Sequence, residues 1–305
     1  MKHIIYTTLI IFSFVSCDNM QTVIDVDLPK HEPKLVVNSV NSVGENWKAY
    51  ISISQAPLST DNFVFLSNAT VLLMEGENVI DTLAYNASKH RYESDLIVQQ
   101  GANFDIRVSH PMYETISSSL YSFERINIKS VEELQMVTND NVSLKFTFDD
   151  PESTNNYYMI NLKGYFPEQD NGTDSLWGDY YADKENIYFD SDDPSLNQGQ
   201  FSRGKVLFND VLFDGTTKEI NILFSSYFLL EGEGADSIQL NLWSVDYAFY
   251  QYFTTKIVQS NTGDNPIFNS EPVNVYNSFL DENEEIKGYG IFAVSSKDSV
   301  IIQTE

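Results

Sequence analysis

Apolar and polar residues alternate one by one in four separate stretches: Tyr50-Ile51-Ser52-Ile53-Ser54, Phe104-Asp105-Ile106-Arg107-Val108, Val142-Ser143-Leu144-Lys145-Phe146-Thr147-Phe148 and Ser237-Ile238-Gln239-Leu240-Asn241-Leu242. A period of two sends successive side chains to opposite faces, so each stretch predicts a strand with one buried face and one wet face, as antiparallel sheets have. Turn chemistry punctuates them at Glu75-Gly76-Glu77-Asn78, Gln100-Gly101-Ala102-Asn103, Asp149-Asp150-Pro151-Glu152 and Asp214-Gly215. Residues 32–122 carry roughly seven short strand segments, the density of an immunoglobulin-like or transthyretin-like sandwich. A boundary is expected near residues 119–126, with a larger antiparallel β domain over 123–305. The predicted fold is mostly β.

One segment breaks the strand pattern. From Ser244 to Ile257 the apolar residues Phe249, Tyr250, Phe253 and Ile257 recur at three and four residues, which predicts a helix packed on a sheet, with Ser244 able to cap it. The same aromatics could instead line a ligand groove. Between Pro167 and Gly204 lies a long polar, acidic insertion, and a connection of that length is usually functional or disordered.

The N-terminus follows another logic. A charged start, the apolar run Ile4 to Val15 and Ser16-Cys17 have the order of a secretory signal, too short to span a bilayer as a helix. Phe14-Val15-Ser16-Cys17 resembles the bacterial lipobox, Phe14 standing where leucine is usual, which implies cleavage after residue 16 and lipidation of Cys17. The plain alternative is a cysteine lost with its leader. An exported chain with this single cysteine folds without disulfides. Residues 18–31, polar and proline-terminated, read as a tether.

Charge narrows the partners. With 44 acidic against 18 basic residues and a formal charge of −26, nucleic acid is excluded as a partner, and anionic lipid offers no hold. Membrane attachment therefore falls to the lipid, whose acyl chains contribute about 0.8 kcal/mol per buried methylene. A solvated surface that resists aggregation accounts for the acidic excess without a further partner.

Several stretches, in order, resemble one known family. They are Ile24-Asp25-Val26-Asp27-Leu28-Pro29 with Glu32-Pro33-Lys34-Leu35-Val36-Val37-Asn38, then Leu207-Phe208-Asn209-Asp210-Val211-Leu212-Phe213-Asp214-Gly215. Gly263-Asp264-Asn265-Pro266-Ile267-Phe268, Glu271-Pro272-Val273-Asn274-Val275-Tyr276-Asn277 and Gly288-Tyr289-Gly290-Ile291-Phe292-Ala293 follow. Together they resemble the Bacteroidota lipoprotein family known as domain of unknown function 4249. The resemblance implies an outer-membrane lipoprotein and a TonB-dependent transporter as partner, and Asp18 directly after Cys17 fits the acidic start associated with surface display in Bacteroidota.

Catalytic chemistry is sparse. No Gly-x-Ser-x-Gly elbow occurs, and His31, His90 and His110 lack the spacing of a helical zinc pair, so no enzymatic activity is expected. Asp190, Asp192 and Asp193 offer the oxygen ligands calcium prefers, without the glycine and distal glutamate of an EF-hand; a solvated loop is the competing account. No other cofactor is implied. Trp177, Tyr180 and Tyr181 are candidates for stacking on a glycan or peptide ligand, or for a core. The expected function is a non-catalytic binding or accessory subunit; a structural surface protein or adhesin and a glycan-active enzyme are the competing classes.

Overall fold

The computed structural model describes residues 30–56, 59–166, 185–197, 200–202, 204–229, 234–263 and 273–304. Seven strands open the chain: β1 (Leu35–Ser42), β2 (Asn46–Ile53), β3 (Thr70–Glu75), β4 (Asn78–Asn86), β5 (Arg91–Ile97), β6 (Ala102–His110) and β7 (Tyr113–Ser122). Next come β8 (Ile128–Val131), β9 (Gln135–Met136), β10 (Asn141–Asp149), β11 (Tyr157–Tyr165), β12 (Glu185–Ile187), β13 (Phe189–Asp190) and a short helix α1 (Pro194–Asn197). The rest is β14 (Gln200–Ser202), β15 (Lys205–Asn209), β16 (Thr217–Ser225), β17 (Ser237–Val245), the long helix α2 (Tyr247–Gly263) and β18 (Tyr289–Gln303). The fold is mostly β, as the alternation predicts, and the four alternating stretches all lie in strands: β2, β6, β10 and β17.

Strand parity builds the cores. In the first, β1, β2 and β5 face β3, β6 and β7, and β4 belongs to both layers, pairing with β3 through its first half and with β5 through Ala84–Asn86. Trp47 sits at the centre, 4.9 Å from Phe104 and 5.8 Å from Phe292. Phe279, Phe292 and Val294 complete this core, although they come from the C-terminal region that the sequence pattern assigns to the second domain.

The second core lies between the β13-β16-β10-β8 sheet and the sheet containing β15, β11, β17 and β18. In β11 the even-numbered Tyr158, Ile160 and Leu162 point into it, while Tyr157 and Met159 point the other way and meet α2. β15 and β17 divide likewise, with Leu207, Trp243 and Val245 on the helix side. Phe249, Tyr250, Phe253 and Ile257 dock the helix there, the packing expected of them.

The helix start differs from the prediction. β17 continues through Ser244, whose Oγ accepts a hydrogen bond from the Ile126 amide, so Ser244 is a strand residue and no cap. Asp246 caps instead: its Oδ1 accepts from the Phe249 amide at 2.6 Å and its Oδ2 from the Val294 amide at 2.7 Å. One carboxylate thereby ends a strand, starts a helix and fastens β18.

β18 joins the cores. Val36 to Ser42 pair with Tyr289 to Ser295 in parallel, and Ser237 to Val245 pair with Gln303 to Ser295 in antiparallel fashion. Its entry needs glycine. Gly290 has φ +111°, and a Cβ there would lie 2.0 Å from the Val37 carbonyl oxygen; at Gly288 it would lie 2.5 Å from Ile116 Cδ1. Gly290 is thus a packing requirement of the β1–β18 approach, while the closest contact at Gly288 is with the movable end of a side chain on β7. Pro33–Glu305 is one compact unit.

Gly290→Ala should therefore destabilise by about 3 kcal/mol or more. Gly44→Ala, at φ +87° with nothing within 4 Å of the added carbon, should cost only about 1–2 kcal/mol. Denaturant melts of the two variants give the comparison, and equal losses would contradict this account of β18.

Candidate functional site

At one end of the second core, three connections and a helix start come together: the β10–β11 and β15–β16 connections, the segment leading into β18 and the start of α2. Asp150, Asp210 and Asp214 bring their carboxylate oxygens within 4.8 Å of one another. Asp150 and Asp210 are buried, Asp214 exposed. Each carboxylate already accepts a backbone N–H: Asp150 Oδ2 from Gly215 at 2.9 Å, Asp210 Oδ2 from Asn156 at 2.7 Å and Asp214 Oδ1 from Ser153 at 3.0 Å. The buried Tyr158 hydroxyl donates to Asp150 Oδ1. The three acids therefore act first as clasps between the two loops.

This decodes the stretch from Leu207 to Gly215. Phe208 and Phe213 enter the core, Phe213 lying 6.0 Å from Phe148 and 6.2 Å from Tyr158. Asp210, Asp214 and Gly215, at φ +72°, hold the loop down. Between them, Val211 and Leu212 stand out at 71% and 52% exposure. They form one of several adjacent apolar pairs left in water, and this one sits on a loop tied down by Asp210 and Asp214.

Beside them runs a row of tyrosines. Tyr157 lies 4.8 Å from Tyr250 and 5.6 Å from Tyr247, and Tyr247 lies 5.8 Å from Tyr276. Tyr247 is half exposed. Burial raises the phenol pKa of Tyr157, Tyr250 and Tyr276 above the ordinary tyrosine value, so all three stay protonated as donors at neutral pH. Large rigid rings with a polar tip are the side chains that recognition surfaces favour.

Burial also acts on the acids here. It is the largest influence on Asp150 and Asp210, whose carboxyls are both raised, and it pushes Asp246 up to about 7 against the pull of its amide donors. No nucleophile–base pair is formed by these groups: Asp150, Asp210 and Asp246 face backbone amides and a phenol.

The residues singled out from sequence are distributed differently. Asp190 and Asp192 are exposed, and Asp193 is engaged, 2.7 Å from Lys218 and accepting from Ser195 N at 2.9 Å. Burial raises the Asp193 carboxyl, but the Lys218 ammonium and the Ser195 bonds outweigh it and leave it below the usual carboxylate range. Among the described residues the acids that converge are Asp150, Asp210 and Asp214 instead. Cys17, Trp177, Tyr180 and Tyr181 lie outside the described residues. Sequence reasoning passed over Tyr157, Tyr247 and Tyr276; the one local signal was the aliphatic pair Val211-Leu212 set between two aspartates.

The model of the family "Domain of unknown function (DUF4249)" matches residues 21–301. The chain belongs to this family. Its DUF4249 region includes every element of the site, from Asp150 to Tyr276. No curated protein matches the sequence. Among solved structures, the three N-terminal domains of the bacteriophage RB49 highly immunogenic outer capsid protein align at 13% identity and a TM-score of 0.24. That alignment covers 70% of this chain and 63% of the phage chain, and at this score it carries no argument.

The Asp246 carboxyl gives a pH test. Its folded pKa, about 7, lies above its ordinary 3.8, so the folded state holds the proton more tightly than the unfolded one. The stability this contributes is fully present below the ordinary value and fades as the pH rises through about 7. Unfolding free energy measured across that window should decline, by up to a few kcal/mol, and Asp246→Asn should flatten the decline. An unchanged slope in the variant would rule Asp246 out as its source.

Proposed function

We propose that this protein is a non-catalytic, lipid-anchored binding or accessory subunit at the outer membrane, seated beside a TonB-dependent transporter. The observation that carries the reading is the loop end of the second core, where Val211 and Leu212 stand exposed beside the tyrosine row. Such a patch has the composition of an interface centre: aromatic rings, aliphatic side chains and few free charges, on loops already tied down and needing little ordering on contact. The acids of the site support a binding role, since they are spent on amides that shape the loops.

The remaining parts of the reading rest on sequence. The lipobox-like Phe14-Val15-Ser16-Cys17 supports the anchor, residues 18–31 the tether, and the family resemblance both the outer-membrane location and the transporter. Cell-surface exposure rests on Asp18 directly after Cys17.

Two measurements test it. Cys17→Ser should move the protein from the membrane to the soluble fraction, because the lipid supplies the attachment; retention in the membrane would refute the anchor. Affinity purification of the wild-type chain from native membranes should recover a transporter. Val211→Asp with Leu212→Asp should reduce that recovery about tenfold, while stability, read by melting, stays within about 0.5 kcal/mol of wild type. Failure of the wild type to recover any transporter would overturn the partnership.

A further inference from the structure

A cavity of about 290 Å³ opens where the two cores meet, between the end of β7 and the β10–β11 loop. Its floor is rigid: Asn156, Tyr158 and Val245 are buried at 8%, 0% and 1% exposure. Its rim is the segment Tyr121 to Ile126, held by the bond from the Ile126 amide to Ser244 Oγ at 3.2 Å and by that from the Arg125 amide to Gln100 Oε1 at 3.3 Å. The cavity is therefore formed before any ligand arrives.

Its lining is of two kinds. Tyr121 and Phe123 stand edge to face, 5.1 Å apart at 88°, and Tyr157 lines the same space. Beside them are the exposed Glu124 and Arg125, whose side chains make no hydrogen bond or ion pair among the described residues. Arg125 is one of only four arginines in a chain with 18 basic residues. A fork of donors and a carboxylate acceptor thus sit side by side at the mouth of an aromatic-walled cavity.

Chemistry excludes most occupants. A purely apolar ligand would strip water from Arg125 and Glu124 and return nothing to either. A cation would face the guanidinium, and an anion would face Glu124 and the field of a chain with formal charge −26. A neutral ring with an apolar face for the aromatics and adjacent hydroxyls that both accept and donate satisfies the rings, Arg125 and Glu124 together. We infer that this cavity is a subsite for one neutral pyranose ring of a glycan. Tyr121 stacks on the C–H face of the ring while Phe123, perpendicular to it, closes the side of the subsite; Arg125 donates to the ring hydroxyls and Glu124 accepts from them. The inference deepens the binding half of the proposed function and does not depend on the transporter half.

Calorimetry on the full-length lipoprotein, in a detergent without a sugar head group, tests it with neutral gluco-, manno- and galacto-configured oligosaccharides against oligogalacturonate. At least one neutral oligosaccharide should bind saturably and more tightly than the uronate. Tyr121→Ala and Phe123→Ala should each weaken binding about tenfold, and Arg125→Gln about fivefold, with melting temperatures unchanged. The inference is overturned if no neutral member of the panel binds, if the uronate binds more tightly, or if the folded variants leave the affinity unmoved. Transporter recovery by Arg125→Gln, expected to match wild type, separates failure of this subsite from failure of the partnership.

Discussion

The double pairing of β18 is the contact on which the molecule depends. Its first half completes the first sandwich beside β1, its second half extends the sheet of the second core beside β17, and no residue of Ile291 to Ser296 is exposed. Ile291 and Ala293 face α2 while Phe292 and Val294 face Trp47 and its neighbours. A strand buried through its middle, with its first half paired to β1 and its second half to β17, ties the two cores into one unit. The cavity beside Tyr121 and the end loops around Tyr157 keep their positions because this strand fixes one core against the other.

Polar groups do the finer positioning. Asp246 terminates β17, caps α2 and accepts the Val294 amide, while Asp150, Asp210 and Asp214 each answer an amide from a facing loop. Burying Asp150, Asp210 and Asp246 is unfavourable by desolvation, and the raised pKa values of these three record that cost. The return is loops stiff enough to hold Val211 and Leu212 in water.

The strands were legible because alternation is a local signal with a direct physical cause, and the turns because Gly76, Gly101 and Gly215 occupy positive φ. The helix was legible from its aromatic period, but its cap was not. Ser244 is a good cap by type, yet whether β17 stops before or after it depends on neighbours distant in sequence. The site was less legible still. Tyr157, Tyr247 and Tyr276 are unremarkable apart and meaningful only together, and Arg125 gains its role from a cavity whose walls come from β11 and β17. Acid density drew attention to Asp190, Asp192 and Asp193, but Lys218 and Ser195 occupy the last of these, and density alone carries no such information.

The parallel contact between Val36 and Tyr289 spans most of the polypeptide. Closing a loop of that length costs about 5 kcal/mol of chain entropy, and contacts of high sequence separation form slowly. The amino-terminal sandwich is synthesised first yet lacks Phe279, Phe292 and Val294 until the last stretch of chain arrives. It is therefore made early and completed late, when β18 arrives. Until then β1 presents an open edge and Trp47 an incomplete seat, so the interval between synthesis and completion is when this chain most needs shielding from its neighbours.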